Sequence, residues 1–214
     1  MAGKRCWKLE YSIFLFFVLG ILLLIMPVSI ESSRQANFIS KWNEKFNRVE
    51  YMFSVINAHI TDDMIKSMAK AKTPQERESI LLAIVKPYLR IDTSTVPVSR
   101  HYRPRYMNGS RVYEGQRYFF DDFYYAENNT IVGIKDIKNE VSNDALFIMM
   151  FDMNGFLPPN RWGKDIFGVN IYDNGRVEPF GFESSMSELK KDCSESGTGV
   201  SCSYYYKIGG GFDE

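Results

Sequence analysis

From Tyr11 to Ile30 the chain carries no charged side chain. At about 1.5 Å rise per residue, an apolar helix of about twenty residues spans the ~30 Å hydrocarbon core of a bilayer. Lys4, Arg5 and Lys8 precede the stretch, and Glu31 with a long polar chain follows it. The positive-inside rule then predicts a cytoplasmic tip over residues 1–10, a transmembrane anchor over 11–30 and an extracytoplasmic domain over 31–214. A cleaved secretory signal is the alternative. Its apolar region usually runs about 7–15 residues before a small-x-small site, which Met26-Pro27-Val28-Ser29 fits poorly.

Past the anchor the apolar positions keep a helical period. Phe38, Trp42, Phe46, Val49, Phe53, Ile56, Ile60 and Met64 follow at steps of three or four, the stripe of an amphipathic helix. No Gly or Pro interrupts Val28 to Lys72, so the pattern predicts one long helix, kinked at Pro27, which lacks an N–H and crowds the preceding turn. Thr73-Pro74-Gln75-Glu76 opens a second helix with an N-cap, a first-turn proline and a capping box. Its buried face is Ile80, Leu81, Ile84, Val85 and Leu89. After Val112 the texture turns aromatic and β-branched. Strands are predicted near 111–126, 130–136, 145–151, 167–172 and 202–208, with a short one near 176–179 after the turn signal Asp173-Asn174-Gly175 and a short helix near 185–191. The fold class is α+β: a long N-terminal helix, transmembrane in its first half, packed on a small antiparallel β-sheet.

Composition narrows the functions. Twenty-six acidic and twenty-six basic residues balance, so no electrostatic footprint for nucleic acid exists and none is expected as a partner. Of three cysteines, Cys6 falls on the cytoplasmic side, leaving Cys193 and Cys202 outside. An oxidising compartment permits them to bond across eight intervening residues rich in Ser and Gly; two separate thiols are the alternative. Asp121-Asp122 pairs carboxylates, but between aromatic neighbours it reads as a strand bend with solvated acids. His59, His101, Ser184, Ser185 and Ser201 lack any nucleophile or base motif. No enzyme activity is expected. Tyr102, Arg103, Arg105, Tyr106, Arg111 and Tyr113 mix basic and aromatic groups, read as a loop packing on the sheet rather than a stacking surface.

The best metal candidate is Asp152, Asn154 and Asp165. Oxygen donors at alternate positions before Gly155 resemble the first part of a calcium loop, with the Phe156 carbonyl as a further ligand and Asp165 closing the site. Ca²⁺ wants about six to eight oxygens, so Asn160 or water would have to contribute. Asp-x-Asn-Gly is also an ordinary turn signature. Between a calcium loop and a metal-free turn, the sequence favours the turn.

The anchor helix that runs on into a soluble α+β domain resembles the type IV pilin and type II secretion pseudopilin family. Glu10 and Pro27 stand seventeen residues apart, as do the glutamate and kinking proline of pilin-like anchors. The run from Phe151 to Phe167, FDMNGFLPPNRWGKDIF, is similar to the D-x-N-G…P-N…G-x-D-x-F segment of bacterial pilin-like proteins. The Cys193/Cys202 pair is placed like the loop-closing disulfide of many pilins. The resemblance implies a single-pass protein of the inner (cytoplasmic) membrane, its head periplasmic or extracellular. Its partners would be other pilin-like subunits, secretion or pilus machinery, and membrane lipid. It implies assembly roles for Glu10 and Pro27, where Glu10 is otherwise a membrane-edge charge that snorkels into headgroups, and a calcium ion of the kind that orders a C-terminal loop in pseudopilins. The stretch Arg5-Cys6-Trp7-Lys8-Leu9-Glu10 departs from the family: Arg5 stands where the processing-site glycine belongs, and Lys8 adds a charge. That departure carries the alternative, a non-polymerising, membrane-anchored binding module, calcium-stabilised.

Overall fold

The structure is a computed structural model that describes residues 3–59, 68, 70–93, 102–138, 145–172 and 174–211. The chain divides into two compact units, Met1–Asn37 and Phe38–Glu214.

Helix α1 spans Gly3–His59, and its helical backbone continues through Pro27. In the first unit the side chains from Tyr11 to Met26 are exposed apart from a half-buried Val18. This part of the helix is apolar on every side, and α1 is long and apolar enough to cross a membrane. Glu10 and Pro27 are helical positions whose side chains lie outside the described set.

In the second unit α1 buries Phe38, Trp42, Phe46, Val49, Met52, Phe53 and Ile56. Ile60 and Met64, the expected end of this stripe, lie outside the described residues. Helix α2, Pro74–Leu89, is capped as its sequence requires: Glu76 N donates to Thr73 Oγ1 at 3.2 Å. The carboxylate half of the expected box is displaced by one residue, since Glu76 Oε2 accepts from Lys72 N at 2.9 Å. Thr73→Ala should therefore cost about 1 kcal/mol and lower the midpoint of thermal unfolding by roughly 2–4 °C. Leu81, Val85 and Leu89 are buried, and so is Arg77, which pairs with Asp136 and donates to Ala71 O at 3.3 Å.

Five antiparallel strands follow in sequential order: β1 (Phe123–Ala126), β2 (Thr130–Asp136), β3 (Ala145–Asp152), β4 (Ile166–Tyr172) and β5 (Val177–Pro179). The strand period sorts their side chains onto two faces. Val132, Ile134, Phe147, Met149, Phe151, Phe167, Val169 and Ile171 join the α1 and α2 stripes in one core. Ile131, Ile148, Met150 and Ile166 join Tyr102, Phe120, Trp162 and Phe180 in a second. The sheet is thus covered on both faces.

That second cover explains two departures from the expected strands. Residues 111–122 form turns and coil, and only Phe123–Ala126 pairs as a strand. The aromatics of the segment are spent capping the second face: Tyr118 meets Trp162 and Phe180 at ring-centroid distances of 5.7 and 5.1 Å. Gly133 leaves room for this layer, since a Cβ there would meet the Phe120 ring at 2.9 Å. The segment 202–208, expected as a strand, is instead helix α4 (Cys202–Lys207), preceded by α3 (Met186–Asp192). Cys202, Tyr205 and Tyr206 are buried, a spacing of three and four that suits a helix face and not a strand. Cys193 and Cys202 form a disulfide that ties the end of α3 to the start of α4.

Candidate metal centre

Strand pairing builds the base of this site. The β3–β4 register sets Asp152 opposite Ile166, which brings Asp165 close to Asp152 at the mouth of the connecting loop. Both carboxylates are fully buried. Asp152 accepts from Asn154 N at 3.0 Å and from the Tyr102 hydroxyl. Asp165 accepts from Asn160 N at 2.9 Å and Arg161 N at 2.7 Å. The loop keeps its course because Gly155 adopts φ +70°, where a Cβ would strike Asn129 O at 2.7 Å. Asn160 is also left-handed, at φ 50°, and the Pro158–Pro159 bond is cis.

The electrostatics of this pair are unusual. Burial pushes Asp152 well above the ordinary carboxylate range, and the charge of Asp165 pushes it further, against the hydrogen bonds from Tyr102, Asn154 and Gly155. Burial likewise lifts Asp165 to about 6, against the lowering effect of its backbone donors. Burial, with Asp152 next to it, raises Tyr102 well above its ordinary value. Among the described residues, no lysine or arginine side chain forms an ion pair with either aspartate. Two buried like charges without a cation are costly.

Around them the loop collects oxygen. The Asn160 side-chain oxygen faces only acceptors: Asp152 Oδ2 at 3.1 Å, Leu157 O at 2.9 Å and Gly155 O at 2.8 Å. Asn154 Oδ1 is buried and receives no hydrogen bond. Two arrangements account for the contacts of the Asn160 amide. If the Asn160 amide turns over, its nitrogen donates to all three oxygens and closes a metal-free turn. If it stays, four oxygens converge with no proton between them, which a hard cation holds together.

Of the residues singled out from sequence, Asp152, Asn154 and Asp165 come together here. Phe156 turns its carbonyl to Asn160 Nδ2 at 3.3 Å, and the carbonyls facing the amide oxygen are those of Gly155 and Leu157. Tyr102, buried against Asp152, was not legible as part of the site, because fifty residues separate the two and only the second-face cover joins them. No cluster of three or more His, Cys, Asp or Glu side chains occurs among the described residues, so amides and carbonyls must supply the remaining ligands. Asp121 and Asp122 are exposed at a bend before β1. Ser185 caps α3 through Glu188 N. The His59 side chain and His101 lie outside the described residues. No family model matches the chain, and neither a curated protein nor a solved structure is significantly similar to it.

Proposed function

We propose that the chain is a pilin-like subunit of the kind that builds type II secretion pseudopili or type IV pili. It would be held in the inner membrane by residues 11–30, with its tip cytoplasmic and its head outside. The observation that carries this reading is α1 itself: one helix, Gly3–His59, apolar and outward-facing in its first part and seated in the head core in its second. Its action is mechanical. Apolar anchors pack against those of neighbouring subunits, Glu10 and Pro27 set the register and bend of that packing, and head loops present the contact surface. Intact-mass measurement of the mature chain tests it. Loss of a leader of about five or six residues supports assembly; a chain beginning at Met1 or Ala2 overturns it in favour of a lone anchored module, the reading that Arg5 and Lys8 support.

In either setting the head is proposed to hold Ca²⁺ at the Asp152–Asp165 loop. Asp152 and Asp165 would supply the charge, with oxygens from Asn160, Gly155 and Leu157 completing the shell and Asn154 beside them. The support is two buried carboxylates that no lysine or arginine side chain among the described residues pairs with, beside a loop that turns the Gly155 and Leu157 carbonyls toward them. Bound there, Ca²⁺ would neutralise the carboxylates and brace the β3–β4 loop.

A further inference from the structure

A second site lies on α1 beside the turn that joins β1 to β2, and its lining reaches Met153, next to the Asp152 loop. Here a cleft of about 350 Å³ opens between Lys41, Lys45 and Arg48 on one side and Glu127, Asn128 and Thr130 on the other. Successive turns of one helix place the three cations on one face.

Lys45 is the unusual member. It is only 9% exposed, which is rare for a lysine unless it is paired. Its ammonium nonetheless makes no hydrogen bond to another described residue, and its nearest carboxylate oxygen, Glu127 Oε1, lies 3.9 Å away, beyond hydrogen-bond reach. Burial, and then Arg48, lower its pKa, with Glu44 opposing them. Glu127 cannot satisfy it alone, since that carboxylate also pairs with Arg48 and, at 3.4 Å, with Arg90. Lys45, Arg48 and Arg90 thus share one carboxylate, while Lys41 also lines the cleft and Glu44 is the second acid among its described lining residues. The cleft holds surplus positive charge and a largely buried lysine whose ammonium makes no hydrogen bond to another described residue.

We propose that this cleft binds a phosphate group, with Lys45 as its central ligand and Lys41 and Arg48 flanking it. A tetrahedral oxyanion suits a lining of three cations and two carboxylates, because its several oxygens can accept from an ammonium and a guanidinium fork together. The cleft is large enough for a phosphate and the atoms attached to it. The phosphate comes either from a soluble ester or from a phosphomonoester lipid headgroup. The site does not depend on the assembly reading.

The test uses the full chain in a phosphate-free detergent, titrated calorimetrically with inorganic phosphate, with acetate as the monoanion control. Phosphate should bind, acetate should bind more weakly, and Lys45→Met should reduce phosphate affinity by about tenfold or more. Lys41→Ser, at an exposed position whose ammonium lies over the Phe38 ring, tests the same cleft without changing a buried residue and should weaken binding by a smaller factor. Nanodiscs containing phosphatidic acid separate the sources. Loss of the soluble-phosphate signal in wild type assigns the cleft to a headgroup, and an undiminished signal assigns it to a soluble ester. The proposal is overturned if phosphate binds no better than acetate, or if both variants bind phosphate as tightly as wild type.

Discussion

Trp42→Ala is expected to destabilise the head by about 4–5 kcal/mol, lowering its unfolding midpoint by roughly 10–20 °C. Trp42 is fully buried and sits where three elements meet. Its ring stacks on Phe167 of β4 at 5.2 Å and contacts Phe151 of β3 at 6.3 Å and Phe46 of α1 at 5.7 Å. Its Nε1 donates to Ser203 O of α4 at 2.8 Å. Ser203 Oγ in turn accepts from Gly168 N at 2.9 Å, so one hydrogen-bonded chain links α1, α4 and β4. Alanine removes the ring, leaving a cavity, and takes one donor from the Ser203 carbonyl, two costs that add. Trp42→Phe separates them: it keeps most of the apolar volume and should cost about 1–3 kcal/mol for the lost donor. Denaturant unfolding followed by circular dichroism measures both. A loss under about 1 kcal/mol for the alanine variant would show that the α1 stripe is not integral to the head core.

The stripe containing Trp42 was legible because it obeys a local period, and local periods survive any tertiary arrangement. The same holds for the Thr73 cap and for β2, β3 and β4, whose apolar runs are bounded by turn residues. What sequence obscured were segments whose state depends on distant partners. Tyr118 and Phe120 carry strand-like propensity, yet they fold as coil because a two-faced sheet needs a lid more than another strand. Cys202-Ser203-Tyr204-Tyr205-Tyr206 is aromatic enough for a strand, but the disulfide to Cys193 and burial of one helical face decide for α4. The metal candidate was half legible. Asp152, Asn154 and Asp165 announce themselves by residue type, while the carbonyls of Gly155 and Leu157 are set by backbone path alone, and Tyr102 by a contact across the second core.

Calcium should have its largest effect at neutral pH and almost none in acid. Without metal, Asp165 titrates near 6 and Asp152 is also raised, both above the value of about 4 of an unfolded aspartate. A carboxyl whose folded pKa is raised contributes its full stability below the unfolded value and loses it as pH climbs through the folded one. The metal-free head should therefore weaken between about pH 4 and pH 6, by about 3 kcal/mol from Asp165 alone. Ca²⁺ binds the ionised pair, so its benefit grows in the opposite sense as pH rises through that window and above it. At a concentration about a hundredfold above its dissociation constant, it adds about 2.7 kcal/mol, or roughly 5–10 °C in unfolding midpoint. Thermal unfolding with calcium or with a chelator, across that pH range, reads the difference directly. An Asp152→Asn, Asp165→Asn double variant should lose both the calcium response and the pH dependence, since neither charge remains to be offset. If calcium and chelator give the same midpoint at neutral pH, the loop is instead closed by the Asn160 amide nitrogen donating to Asp152, Gly155 and Leu157. The carboxylates would then retain a proton through burial alone, and the double variant would melt at or above the wild-type midpoint.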